Sequence, residues 1–255
     1  MMPDQQGTES VAALSRALVL LGSFSAERPM MTLAEAAALL DLPRSTMRRT
    51  LHTLVSLGFL LVEGRACRLA PRVLELASPF LGADPVPTIL QPACDRLLVR
   101  LGTACSIGVL DGDHVLAIAR AIPANWLSAR EAAQYGVPAT GSALGRMLLA
   151  GLPEPALAKL LAASDPPALT SRTITGRPAL LDAIAAARRE GFAFTEQETE
   201  LGFRALAVPL RRFDGRIVAA LGVSARIETV STPVMLVEMR AVLDAEAALL
   251  RDQII

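Results

Sequence analysis

The sequence predicts an α+β chain in two modules: a small helical one ending in a basic hairpin, and a larger one in which strands are flanked by helices. Three observations carry this. Helix-period apolar patterns alternate with short apolar runs bounded by turns, a Gly/Pro-rich joint (GADPVPT) interrupts the chain near Asp84, and 255 residues exceed what one small core requires. Hydrophobic residues make up 52% but Phe, Trp and Tyr only 4%, so the cores have to be built from Ala, Leu and Val. Such a composition favours closely packed helices over a large aromatic-lined sheet.

The first module is read over residues 10–71. From Ser10, Val11, Leu14, Ala17, Leu18 and Leu21 recur at helical spacing until Gly22. Thr32 then stands as an N-cap before LAEAAALL with Glu35 three residues on, the pattern of a capping box, and this second helix stops at Asp41. Pro43 is tolerated in a first helical turn and opens a third helix that Gly58 closes. On it, Met47, Leu51 and Leu54 share a face that must turn to the core. Arg44, Ser45, Thr46, Arg48, Arg49 and His52 are thereby left as candidates to meet solvent or a ligand. FLLVEGRACRL follows as two short strands about a Glu63-Gly64 turn, with Arg65 and Arg68 on the returning strand.

Helix, capped helix, Pro turn, arginine-bearing helix and basic hairpin in that order describe a winged helix-turn-helix. Guanidinium forks suit guanine edges and phosphates, small hydroxyls suit phosphate oxygens, and a helix start adds backbone N–H groups. Double-stranded DNA is therefore the expected partner, met by Arg44, Ser45, Thr46, Arg48, Arg49, His52 and Arg65. The overall charge of +0 does not oppose this, since only the docking surface has to be basic. Between Ser10 and Phe80 eight arginines face five acidic residues, so the positive excess lies where the fold needs it. A single helix with an arginine face is usually just a solvated surface.

Several function classes lack raw material. The two histidines, His52 and His114, lie in unrelated contexts, so neither a His-based metal site nor a serine–histidine triad can be assembled, and no metal or cofactor is expected. Cys67, Cys94 and Cys105 are too few and too irregularly spaced for a disulfide framework or zinc ribbon and are read as reduced thiols. MMPDQQGTES shows neither a basic leader nor an apolar one and no apolar run reaches bilayer length, which predicts a cytoplasmic, membrane-free protein without enzymatic activity. The rival reading is a metabolic enzyme or ligand carrier whose basic amino-terminal module merely mediates association.

Residues 72–84 are read as a linker helix and residues 85–255 as the second domain. ACSIGVLDGDHVLAIARA gives two apolar strands about Asp111-Gly112-Asp113, with His114 as a hairpin-edge residue. In PATGSALGRMLLAGLP a small-residue loop feeds a helix, so Thr140, Gly141, Ser142 and Ala143 would offer N–H groups and hydroxyls to an anion such as a carboxylate. The same loop could equally be an ordinary cap. Further on come a helix, an acidic loop carrying Glu196, Glu198 and Glu200, two strands about Asp214-Gly215, and a terminal helix. The alternating glutamates are most simply a solvated run.

Taken together, TLAEAAALLDLPRSTMRRTLHTLVSLGFL and RLAPRVLELA resemble the DNA-binding domain of the isocitrate-lyase-regulator (IclR) family. The similarity runs from Ser10 to about Ala248. GSALGRMLLA, EQETELGFRALAVPL and GRIVAALGVS look closest to the branch controlling aromatic-acid and β-ketoadipate catabolism. The resemblance implies a GAF-like α/β effector-binding domain whose pocket is lined by Thr140 to Ala143 and by the segment Glu196 to Ala205, with Glu196, Glu200, Ala205 and Ser224 as contacts. It also implies a small carboxylate effector and assembly as a homodimer or dimer of dimers. Ala205 stands where the family usually has Cys or Ser, and Gly222 where that branch often has Asn.

Overall fold

The computed structural model describes residues 11–25, 28–76, 86–124, 126 and 135–251, and the chain divides into two compact units at Asp84/Pro85. The first begins with α1 (Ala12–Gly22), β1 (Met30–Thr32), α2 (Leu33–Leu39) and α3 (Arg44–Ser56), and ends with β2 (Leu60–Glu63) and β3 (Ala66–Leu69). The capping box is present: the Glu35 N–H donates to Thr32 Oγ1 at 3.3 Å while the Thr32 N–H donates to the Glu35 carboxylate at 2.7 Å. The Thr32 N–H and the Thr32 hydroxyl, both donating to the ionised carboxylate, hold the Glu35 carboxyl below the usual carboxylate range. Asp41 takes a left-handed conformation, φ 49°, and reverses the chain into Pro43, which is itself the N-cap of α3.

Met47, Leu51 and Leu54 are buried against Leu20, Met31, Ala36 and Leu60, so the apolar stripe of α3 makes the core contacts its spacing requires. The wing has three strands in the order β1-β3-β2. Its outer strand β1 is invisible to periodicity, because three residues ending at a helix cap carry no alternation. It forms because Met31 pairs with Cys67 and is buried. Arg72, at the expected start of the linker, also fastens the wing's base: its Nη1 donates to Leu57 O at 3.0 Å and its guanidinium lies over Phe59. A 3-10 turn spans Pro71–Val73, residues 74–76 are helical, and the rest of the expected linker helix lies outside the described residues from position 77 on.

The second unit runs α4 (Val86–Leu101), β4 (Ala104–Asp111), β5 (His114–Ala121), β6 (Tyr135–Pro138), a 3-10 turn (Ala139–Gly141), α5 (Ala143–Ala150), α6 (Glu154–Ala163), α7 (Arg177–Glu190), β7 (Ala193–Glu196), β8 (Phe203–Arg211), β9 (Ile217–Arg226), a π-helical turn (Val234–Met239) and α8 (Arg240–Arg251). Its strands form one antiparallel sheet ordered β6-β5-β4-β9-β8-β7. Alternate residues of β4, β8 and β9 serve two cores. Cys105, Ile107, Leu206, Val208, Leu221 and Val223 face α4 and the carboxy-terminal helix, whereas Ala207 and Ala220 pack with Met147, Leu149, Leu180 and Ile184 of α5 and α7. Burial on both faces is why these strands read as continuous apolar runs.

The hairpins at Gly112 and Gly215 lie where expected, while β6 and β7 were not foreseen as strands. His114 opens β5 with its Nδ1 2.7 Å from Asp113 Oδ1. All three cysteines are unpaired by disulfides and buried. A hydrogen bond with the Cys94 thiol and burial push the Cys105 thiol well above its ordinary range.

Candidate functional site

Two surfaces follow from this architecture, one in each unit. In the first, burial of Met47, Leu51 and Leu54 turns the opposite side of α3 outward. Arg44, Ser45, Arg48, Arg49 and His52 are exposed there and Thr46 is half-buried. Arg65 is exposed in the turn at the wing tip rather than in the returning strand, beside Gly64 at φ 64°. Arg68 does lie in β3, but the Glu63 carboxylate pairs with it across the hairpin, so Arg65 carries the tip's net positive charge. The hydroxyls of Thr50, Thr53 and Ser56 bond back to carbonyls of their own helix. The arginines therefore dominate the outward chemistry of α3.

In the second unit a cavity of about 70 Å³ lies between the sheet and the start of α5. Its floor is set by cross-strand register: Ala104, Ser224 and Ala205 form one row, and Ser106 and Gly222 sit in the next beside Arg120. Small residues on three adjacent strands leave the space; Val115, Ala117 and Val137 close one side, and Ser142, Ala143 and Leu144 form the roof. Arg120 is the cation among the described lining residues, in a wall otherwise of hydroxyls and apolar groups.

The residues expected to contact an effector are distributed unevenly. Ser142, Ala143, Ala205 and Ser224 line the cavity, whereas Thr140, Gly141, Glu196 and Glu200 are not among its lining residues. Ser142 is the N-cap of α5: its Oγ accepts from the Gly145 N–H at 3.1 Å and donates to Pro138 O at 3.2 Å. With its proton committed there, the hydroxyl cannot also donate to a bound anion. The N–H groups of Ala143 and Leu144 in the first turn remain for that purpose. Thr140 and Gly141 act through their carbonyls, which accept from Arg146 Nε at 3.1 Å and Thr199 Oγ1 at 2.8 Å.

Of the glutamates, Glu196 is paired with Arg204 at 2.8 Å. Glu198 is buried and clasped by both terminal nitrogens of Arg146, one of them at 2.7 Å. The Glu198 carboxylate also accepts from the Ile174 N–H at 3.1 Å, so this expected solvated run is a structural anchor behind the cavity. Sequence reasoning missed Arg120, Ser106, Leu144 and Thr199. Arg120 and Ser106 lie on apolar strands, and only antiparallel register brings them level with Gly222. Among the described residues no group of acidic, His or Cys side chains could hold a metal ion.

A helix-turn-helix with a three-stranded wing, followed in the chain by a sheet covered by helices on both faces that encloses a small polar-edged cavity, is the plan of one regulator family. The models of that family match the chain in both parts, "IclR helix-turn-helix domain" over residues 13–63 and "Bacterial transcriptional regulator IclR C-terminal" over residues 81–249. The chain belongs to the IclR family of bacterial transcription regulators. It is 33% identical to the Pca regulon regulatory protein of Pseudomonas putida over 222 residues, 87% of this chain and 76% of that one. An IclR homologue of Microbacterium hydrocarbonoxydans, solved with 4-hydroxybenzoate, shares the fold at a TM-score of 0.81 and 24% identity, covering 95% of this chain and 99% of the other. The inducer-binding domain of PobR from Acinetobacter, solved as a double mutant with 3-hydroxybenzoic acid, is 26% identical with a TM-score of 0.61. That likeness covers 65% of this chain and 97% of the PobR domain. As an IclR-family regulator, the chain uses its amino-terminal unit to bind DNA. Among its described residues no helix is long and apolar enough to cross a membrane.

Proposed function

We propose that this IclR-family regulator works by binding, not catalysis, and that an aromatic carboxylate held in the 70 Å³ cavity controls its grip on operator DNA. Arg48, Arg49 and His52 on the outer face of α3, with Arg44, Ser45 and Thr46 at its start, meet the major groove, while Arg65 at the wing tip meets the backbone. Residues 10–71 act as the DNA-binding domain, 72–84 as the linker and 85–255 as the effector domain, in the cytoplasm where the operator lies.

One observation carries the effector reading: Arg120 and the first-turn N–H groups of Ala143 and Leu144 border the same small, mostly apolar cavity. A carboxylate placed there meets a guanidinium and a helix start, and a ring fits the Ala205–Gly222 side. The acid bound in the double mutant of the related PobR inducer-binding domain, 3-hydroxybenzoic acid, is of this kind. An apolar cavity that takes benzene measures about 150 Å³, so an aromatic acid has to part the lining. That gives the liganded and free states different shapes, which is what a ligand-dependent switch needs.

Calorimetric titration with 3-hydroxybenzoate, 4-hydroxybenzoate and their neutral amides tests this. The acids should bind and the amides should be at least about tenfold weaker, and Arg120→Gln should lose ~1.5–3 kcal/mol, the range for a hydrogen bond to a charged group. Equal affinity for acid and amide, or an unaffected Arg120→Gln, would overturn it. Assembly as a homodimer or dimer of dimers completes the proposal. It is supported by the exposed stripe of Val11, the N-cap of α1, with Leu14 and Leu18 on the helix, at 66%, 59% and 55% exposure, and a monomeric mass in light scattering at micromolar concentration would exclude it.

A further inference from the structure

Beside the outward face of α3, a groove of about 290 Å³ separates it from α1. Ala13 and Ala17 form the α1 side, and their small side chains leave the space beside them unfilled. Arg16 enters between them, and from α3 come Arg49, Thr46, Thr50 and Thr53. No carboxylate lines the groove, and Arg16 and Arg49 make no ion pair among the described residues.

Arg16 Nε is shut off from solvent and has no hydrogen-bond partner among the described residues. A buried guanidinium donor left unmatched costs free energy in the absence of an acceptor. The hydroxyls of Thr50 and Thr53 are turned to helix carbonyls, at 3.2 and 2.9 Å, so they offer oxygen rather than a proton. It is the two arginines, with no carboxylate in the lining, and not the hydroxyls, that make an anion the ligand this groove fits.

We propose that this groove is a phosphodiester-binding site of the DNA interface, with Arg16 the contact on α1 and Arg49 shared with the face of α3. The assignment to DNA rather than a free anion follows from continuity: Arg49 lines the groove and is exposed on the surface presented by Arg48 and His52. A helix lying in the major groove has a phosphate strand along each flank, and the groove is on one flank of α3. Arg16 thus positions the protein on the duplex without reading bases.

Fluorescence anisotropy should be measured from 0.05 to 0.3 M salt, on a duplex from the DNA flanking the gene and on a random duplex of equal length. Removing one phosphate contact lowers the salt slope by about 0.9 unit, equivalent to about a fivefold loss at 0.15 M salt relative to 1 M. Arg16→Gln should show that loss on both duplexes with its thermal midpoint unchanged, and Arg16→Lys should keep the wild-type slope. Ala13→Glu, an exposed change that sets a carboxylate at the groove's rim, gives a second arm if Arg16→Gln folds poorly, and should weaken both duplexes alike. An unchanged slope in a folded Arg16→Gln, or normal binding by Ala13→Glu, overturns the site. So does a loss confined to the flanking-DNA duplex. Stabilisation of the free wild type by millimolar inorganic phosphate, abolished in Arg16→Gln while the DNA slope stays intact, reassigns the groove to a free anion. A wild type that binds neither duplex would instead count against DNA binding altogether.

Discussion

Substituting Arg146 should reveal how much of the effector domain's stability hangs on one buried ion pair. Arg146 is 3% exposed and Glu198 7%. Its guanidinium spends every nitrogen: Nη1 and Nη2 on the two oxygens of Glu198, and Nε on Thr140 O. Arg146→Met fills the volume with apolar atoms and leaves Glu198 with one retained donor, the Ile174 N–H at 3.1 Å. An uncompensated buried charge of this kind costs about 3–5 kcal/mol. Glu198→Met strands the guanidinium instead and should cost a similar amount. The double substitution removes both charges, so it should fall far short of the sum, since apolar replacement of a buried pair is often close to neutral. Urea denaturation of the four proteins, followed by circular dichroism, gives the cycle. Because Thr140 belongs to the turn leading into α5, both single variants should also bind aromatic acids more weakly than their stability alone predicts. A loss under about 1 kcal/mol for Arg146→Met, or strict additivity in the double variant, would refute this account of the pair.

Further expectations concern local geometry. Gly145→Ala should abolish the native effector domain's packing, because a Cβ there would stand 2.2 Å from the Ala139 backbone; loss of near-ultraviolet dichroism is the readout, and native-like spectra would contradict it. Leu144→Ala should enlarge the cavity and raise affinity for bulkier aromatic acids over glyoxylate, since Leu144 packs against Gly222 and Gly108 at its edge; calorimetry over a size series decides. Thr32→Ala removes an N-cap worth ~0.5–2 kcal/mol and should flatten the acid limb of the stability curve. Glu35's carboxyl is lowered in the folded state, so its contribution is present above the ordinary value of 4.5 and fades as pH falls below it. Urea midpoints between pH 3 and pH 6 should show the wild type losing more than the variant.

The amino-terminal unit was legible in the sequence because its determinants are local. Capping boxes, a Pro-started helix and an i, i+4, i+7 apolar stripe act within a few residues, and Thr32, Glu35, Met47, Leu51 and Leu54 do what their spacing requires. The two-domain α+β plan and the glycine hairpins at Gly112 and Gly215 were readable for the same reason. What escaped was non-local: β1 exists only by pairing with β3, and Arg72 is tied to the wing's base by a carbonyl fifteen positions earlier. The cavity is the clearest case. Ser142 and Ala205 could be named from the resemblance, but Arg120 and Ser106 sit in apolar strands with nothing local to mark them. The partner of Glu198 lies fifty-two residues away. Alternation along a strand tells which residues share a face but not which strand lies alongside, and one step of register would turn Arg120 from this cavity into the opposite core. Sequence alone determined the helices of the amino-terminal unit, the glycine hairpins and the family; tertiary pairing decided which side chains meet in the cavity, because contacts between distant strands depend on register that no local pattern encodes.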